Sequence, residues 1–176
     1  MSYGQSTPKG KQEITSFLKS KLPAGAKICD MGAGGGTYYK YLGSDYEWTA
    51  VEIWHDAVQY LKQNYNKVYE QNIVDFEYDQ YYDLVIFGDV LEHLTIEDAQ
   101  KCVTAAKQNS NSIMIAIPFN YPQGPIYGNE AERHIQDKLT LEDFNKLYPG
   151  FRPVYENYVG KRLHDGYYYW QKELEK

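Results

Sequence analysis

The chain has 176 residues, 43% of them hydrophobic and 24% charged, which suits one well-cored globular unit and argues against a disordered chain. Its formal net charge of −6 disfavours a broad electrostatic footprint on nucleic acid. No stretch approaches the roughly 20 apolar residues of a membrane span.

The opening Met1-Ser2-Tyr3-Gly4-Gln5 lacks the charged-then-apolar pattern of a secretion signal, so a cytoplasmic location is expected. The two cysteines, Cys29 and Cys102, sit in apolar segments without metal-ligand spacing, as in a reducing compartment. Nineteen tyrosines, six phenylalanines and three tryptophans supply apolar bodies with polar tips for the core and for a ligand pocket.

Ile14, Phe17, Leu18 and Leu22 recur at helical spacing, and Pro23 with Gly25 ends that helix. Residues 26–31 form a short strand that runs directly into glycines, after which a helix opens near Gly36-Thr37 and stops near Gly43. Trp48 to Ile53 reads as a strand, and Val58, Leu61 and Tyr65 mark the next helix. Lys67 to Tyr69 is a short strand leading to a loop at Ile73-Val74-Asp75-Phe76.

Asp83 to Gly88 is the strongest buried-strand signal, a continuous apolar run of the kind covered on both faces. Ala99, Cys102, Val103 and Ala106 make a helical stripe, and Ile113 to Ile117 is a further strand stopped by Pro118. Residues 119–138 are rich in Pro, Gly, Asn and charge and read as a long loop of the kind that shapes substrate sites. A short helix with Leu141, Phe144 and Leu147 follows. Two final strands, Val154 to Leu163 and Tyr167 to Trp170, are expected to form a hairpin turning at His164-Asp165-Gly166. Strands alternating with helices predict an α/β, doubly wound and mostly parallel sheet of seven strands with an antiparallel C-terminal hairpin strand.

Glycines placed straight after a strand let the backbone turn tightly and approach a ligand beside the free N–H groups of the next helix. The dinucleotide fingerprint would need a third glycine where Thr37 stands, and the Gly-Lys-Ser/Thr ending of a phosphate loop is absent. What stands here is Asp30-x-Gly32-x-Gly34-x-Gly36. That arrangement resembles the first motif of the class I S-adenosylmethionine-dependent methyltransferases, a Rossmann-like family, and the resemblance extends over roughly residues 24–118.

The resemblance implies S-adenosylmethionine as cofactor. It implies that Glu52 at the end of the second strand holds the ribose hydroxyls, a role that suits a carboxylate able to accept from both. Asp75 would meet the adenine amino group with Phe76 beside the base. Gly88 and Asp89, at the exit of the fourth strand, would lie near the methionine part. The turn itself would contribute Asp30, Gly32, Gly34 and Gly36.

Methyl transfer from a sulfonium mainly requires a nucleophile held in line, and a hydroxyl acceptor also needs its proton removed. Among the four histidines, His55 reads as a helix-start residue and His164 as a solvent-exposed turn residue. His93 reads as a supporting member of Asp89-Val90-Leu91-Glu92-His93-Leu94. His134 is the candidate general base, weighed against an exposed histidine in a charged loop. It stands in Asn129-x-x-Glu132-x-His134, which is similar to segments of small methyltransferases associated with bacterial glycan clusters and phages. Glu132 would orient His134 or bind substrate, Asn120 and Tyr121 would contact substrate, and Asp89 would touch cofactor or substrate.

No Asn/Asp-Pro-Pro-Tyr or Pro-Cys segment follows the fourth strand, which disfavours DNA-amino and cytosine-C5 methylation. The spacing of Asp89, Glu92, Glu130 and Glu132 specifies no metal site, and none is expected.

The expected organisation is one methyltransferase domain over 1–176. It comprises an N-terminal segment and helix (1–23), the cofactor core (24–118), a substrate loop (119–138), and a helix with the hairpin (139–176). The expected activity is methylation of a hydroxyl of a small molecule or saccharide, without membrane or nucleic-acid partners. The chain is close to a minimal core, which leaves room for a homo-oligomer and for substrate contacts from the segment around Tyr3. The alternatives are a catalytically silent cofactor-binding domain acting through a partner and an NAD-dependent oxidoreductase, since Glu52 could equally serve an NAD ribose.

Overall fold

The structure, a computed structural model, describes residues 10–126 and 128–173; Tyr3 therefore lies outside the described residues. The N-terminal helix α1 (Lys11–Lys21) leads into β1 (Lys27–Met31), α2 (Thr37–Leu42), β2 (Glu47–Glu52), α3 (His55–Leu61) and β3 (Lys67–Glu70). After a single 3-10 turn come β4 (Leu84–Gly88), α4 (Ile96–Asn109) and β5 (Ser112–Pro118). The chain closes with α5 (Leu141–Leu147), β6 (Arg152–Val159) and β7 (Arg162–Gln171). Among the described residues no helix is long and apolar enough to cross a membrane.

The seven strands form one sheet in the order β3-β2-β1-β4-β5-β7-β6. The pairs from β3 to β5 are parallel, and β7 runs antiparallel to both β5 and β6. The sheet is therefore wound outward from its centre in two directions, and the winding reverses between β1 and β4. In an open sheet of this kind the crevice beyond the carboxyl ends at the reversal point is where ligands bind.

The apolar strands divide their side chains between two cores by the period of two that a strand imposes. Val85 and Phe87 face one side with Cys29, Ile113, Ile115, the α4 stripe Ala99, Cys102, Val103 and Ala106, and α5. Leu84 and Ile86 face the other with Ile28, Trp48, Met114, Ile14 and Leu18 of α1, and Leu61 of α3. Both cysteines are free thiols within the first of these layers.

The C-terminal hairpin differs from its sequence expectation. Its turn lies at Gly160-Lys161, where Val159 pairs with Arg162, and Gly160 has φ +65°. A glycine opening a two-residue loop satisfies the twist of a hairpin as well as Asp-Gly does. His164, Asp165 and Gly166 instead lie inside β7, with Asp165 opposite Pro118. Gly166 is there for packing: a Cβ on it would come within 2.6 Å of the Tyr168 ring. The registration carries His164 and Asp165 to the mouth of the crevice, where the sequence reading had placed an exposed turn.

Candidate active site

A cavity of about 680 Å³ opens at the carboxyl ends of β1, β2 and β4, at the point where the winding reverses. Its size is in the range that encloses a cofactor-sized ligand. Asp30, Gly32, Gly34, Glu52, Gly88 and Asp89 line one part, and Tyr121, Glu132 and His134 line another.

The glycine turn is held by backbone donors spent on strand ends. Gly32 N–H donates to the Val51 carbonyl at 2.8 Å, and Gly34 N–H donates to Glu52 Oε2 at 2.7 Å. Gly32 needs to be glycine on two counts: φ is +69°, and a Cβ would lie 2.5 Å from Val90 Cγ2. Gly36 ends the turn at the start of α2 and backs onto Leu61 and Tyr65, outside the cavity wall.

Glu52 is buried and accepts a second backbone bond from Trp54 N–H to Oε1 at 2.8 Å. Burial pushes its carboxyl above the usual carboxylate range, against the backbone N–H groups of Trp54, Gly34 and Ile53. Each oxygen still offers a lone pair to a ligand.

Asp30, 1% exposed, accepts from the Tyr65 hydroxyl at 2.8 Å. Burial raises its carboxyl to about 7; the Tyr65 bond opposes the shift and the Glu52 charge adds to it.

Gly88 lets the Tyr38 ring cross the end of β4, since a Cβ would come within 2.1 Å of Tyr38 Cε2. Asp89 follows in a left-handed conformation, φ +54°, a strain that a non-glycine residue bears at a cost of about 1–3 kcal/mol. Its Oδ2 lies 3.6 Å from the ammonium of Lys11. Lys11 is itself 1% exposed, donates to the Tyr38 hydroxyl at 3.0 Å, and lies over the rings of Tyr38 and Tyr167. Burial lowers its pKa, and the Asp89 charge opposes that shift.

Lys11 was missed by the sequence reading. The signal was present, because Lys11, Ile14 and Leu18 share the i, i+3, i+7 face that α1 turns inward.

The opposite wall of the cavity is built from the turn after β4 and from the segment 119–138. The Glu92 carbonyl accepts from Ile135 N–H at 2.9 Å and Gln136 N–H at 3.0 Å, and the Gln136 amide donates to the Leu91 and Leu94 carbonyls. These bonds bring His134 beside Glu92, with Nε2 3.9 Å from Glu92 Oε1. His134 Nδ1 donates to the Tyr121 carbonyl at 2.7 Å, and its ring stands 4.9 Å from that of His93, centroid to centroid.

Burial pushes the His134 and His93 imidazoles below their ordinary value, against the carbonyls of Tyr121 and Arg133 respectively. Glu92 is buried, and that burial, together with the Asp89 charge, drives its carboxyl well upward. Glu132 is half-buried at the same wall, and burial raises its pKa against the His134 charge.

Besides Gly36, three predicted site residues stand off the cavity wall. Asp75 is exposed and off the cavity wall, where Gln71, Asn72 and Ile73 stand instead. Phe76 is turned into the core against Tyr69 and Tyr78. Asn120 lies off the wall with an exposed side chain; its carbonyl accepts from Arg162 and its N–H donates to Leu139.

Three residues read as structural or exposed reach the cavity: His93, His164 and Asp165. Asp165 is buried and accepts from His164 Nδ1 and Asn157 Nδ2, each at 2.7 Å. His55 opens α3 and pairs with Glu70 at 2.8 Å, away from the cavity.

A methyltransferase-domain family matches residues 29–109, the stretch that carries the glycine turn, Glu52 and the β4 exit. Residues 29–109 thus match a methyltransferase domain, in line with an S-adenosylmethionine-dependent methyltransferase. The oxidoreductase alternative raised by Glu52 is thereby set aside, and S-adenosylmethionine is the methyl donor.

The fold is similar to that of an S-adenosylmethionine-dependent methyltransferase from Clostridium acetobutylicum, at 12% identity and a TM-score of 0.70, covering 93% of this chain and 92% of that one. It is also similar to the N-terminal domain of EvdMO1, determined in the presence of SAH and D-fucose. There the TM-score is 0.69 at 10% identity, over 96% of this chain and 85% of that one. Magnesium protoporphyrin IX methyltransferase from Synechocystis shares the fold at 16% identity and a TM-score of 0.61, over 94% and 85% of the two chains. No curated protein matches the sequence.

Proposed function

We propose that this methyltransferase acts on a hydroxyl of a small molecule or saccharide, with His134 as the group that takes the hydroxyl proton. The observation that carries the reading is the hydrogen bond from His134 Nδ1 to the Tyr121 carbonyl. It fixes the neutral tautomer with the lone pair on Nε2, the nitrogen turned toward Glu92 in the cavity.

The residues present fit the methyl donor: an open glycine turn, a carboxylate with spare lone pairs, and a buried carboxylate, Asp30, that favours a cationic ligand. When bound, S-adenosylmethionine supplies a methyl group already activated on a sulfonium. Glu52 is proposed to accept from the ribose hydroxyls while its backbone bonds keep it aimed. Gln71, Asn72 and Ile73 would border the base in place of Asp75 and Phe76. Gly32, Gly34, Gly88 and Asp89 would border the remainder of the donor, while Gly36 shapes the turn from behind.

On the acceptor side, Tyr121 and Glu132 are proposed to orient the substrate, with Asn120 holding its loop through backbone bonds. D-fucose stands in the name of one structure sharing the fold, which makes sugars the first acceptors to screen. The 119–138 segment and the tyrosines at the rim would exclude water from the reacting centre.

The test is His134→Gln. The variant should bind S-adenosylhomocysteine as the parent does and lose about 100-fold or more in turnover, the scale of a lost general base. The acid limb of parent turnover should fall below the ordinary imidazole value of 6.5, because burial lowers the His134 pKa and keeps the base form available at lower pH. Full turnover in the variant would remove His134 from the mechanism.

A further inference from the structure

One group of atoms at the acceptor wall is built for more than proton transfer. One ligand atom from each of Glu92, His93 and His134 lies within 4.8 Å of the other two. The three residues come from two distant segments, and backbone bonds from Ile135 and Gln136 to the Glu92 carbonyl lock those segments together.

Each imidazole donates Nδ1–H to a backbone carbonyl: His93 to Arg133 at 3.1 Å and His134 to Tyr121 at 2.7 Å. That is how proteins aim metal-binding histidines, with one nitrogen fixed by a carbonyl and the other presented to the ion. Glu92 is 2% exposed, and its Oε2 has no hydrogen-bond partner. A buried carboxylate oxygen left without a donor is costly until a proton or a cation meets it.

The geometry points to a divalent first-row transition ion bound by Glu92, His93 and His134 at the acceptor wall. Two imidazoles and one carboxylate suit manganese, iron, cobalt or zinc better than magnesium or calcium, which favour all-oxygen shells. Bonds of about 2.0–2.2 Å place ligand atoms roughly 3–3.5 Å apart, so the widest of the three separations needs to close by up to about 1.3–1.8 Å.

The open positions on such an ion would take the acceptor. A hydroxyl oxygen bound there becomes more acidic, in the way that a metal-bound water does. Its O–H bond breaks and the proton leaves to solvent. The oxygen pair then forms the new C–O bond as the carbon–sulfur bond breaks, with its electrons returning to sulfur. With the ion bound His134 would act as a ligand, and it would serve as the base only in the ion-free chain; acceptors offering a second oxygen beside the reacting hydroxyl would bind the loaded form best. The ion site stands on the geometry alone; its part in the reaction rests on the hydroxyl reading above.

The experiment is a titration of the untagged, chelator-stripped chain with Co²⁺, followed by visible absorption, with S-adenosylhomocysteine calorimetry in parallel. The expected result is one ion per chain and a ligand-field band. Affinity should fall at least tenfold in His93→Gln, Glu92→Gln and His134→Gln, with S-adenosylhomocysteine affinity kept within about twofold. His93 is only half-buried, so its variant remains informative if Glu92→Gln does not fold.

No stoichiometric binding, or binding unchanged in His93→Gln, overturns the site. Cobalt binding without any S-adenosylhomocysteine binding would support the ion site while refuting the assignment of this cavity as the donor site. Full turnover of the stripped chain in excess chelator would refute the ion's catalytic role and leave His134 as the base.

Discussion

Replacing Asp30 by Asn tests whether the floor of the cavity is held at a cost to the fold. The Asp30 carboxyl titrates near 3.8 in an ordinary setting and about 7 in the folded chain, chiefly because burial disfavours the anion. Between those values the folded chain holds a proton that the unfolded chain has released. Stability therefore falls as pH rises through that window, and the whole penalty is present above about 7. A gap of roughly three units at about 1.4 kcal/mol each gives a penalty on the order of 4 kcal/mol.

Asn has the shape of the protonated acid and can keep the bond from the Tyr65 hydroxyl. Asp30→Asn should therefore stabilise the ligand-free chain, and the gain should grow by about 2–3 kcal/mol between pH 5 and pH 8. Urea unfolding of both chains at the two pH values measures it. The same variant should bind S-adenosylmethionine more weakly, because a cationic ligand gains from the anion that the fold disfavours. An equal gain at both pH values, or a variant less stable than the parent at pH 8, would refute the reasoning.

Two further substitutions probe the turn itself. Glu52→Ala should weaken S-adenosylhomocysteine binding at least tenfold by calorimetry, since hydrogen bonds to a charged group are worth about 1.5–3 kcal/mol each and the Gly34 N–H loses its acceptor as well. Gly32→Ala must adopt φ +69° and press a methyl group into Val90, so a loss of about 1–3 kcal/mol is expected in thermal unfolding, together with weaker cofactor binding.

The parts of the molecule legible in the sequence are those whose geometry is decided locally. A run such as Leu84 to Gly88, too short for a helix and bounded by turn residues, suits a buried central strand, and glycines straight after β1 suit a tight strand-to-helix turn. The hairpin register was not local in this sense. Two glycine-containing pairs competed for the turn, and what decided between them was the pairing of β7 with β5, which requires Asp165 opposite Pro118. Phe76 was likewise decided by a neighbour, since its ring finds Tyr69 and Tyr78. The spacing of Lys11 with Ile14 and Leu18 marks it as inward-facing, but its partner Asp89, which the chain supplies much later, is known only from the fold.

The same distinction divides the cavity into two halves that should respond differently to change. The donor half is made of strand ends and backbone N–H groups, each fixed by its neighbours in the sheet. The half proposed for the acceptor depends on 119–138 being tied across the β4 exit by a few bonds: Gln136 to Leu91 and Leu94, Ile135 and Gln136 to the Glu92 carbonyl, and His93 Nδ1–H to the Arg133 carbonyl. Loosening that strap displaces His134 from Glu92 and His93 while leaving Gly34 on Glu52. Substitutions at Gln136 should accordingly separate methyl transfer from cofactor binding, and variation within 119–138 is the means by which this fold could change its acceptor without rebuilding its donor site.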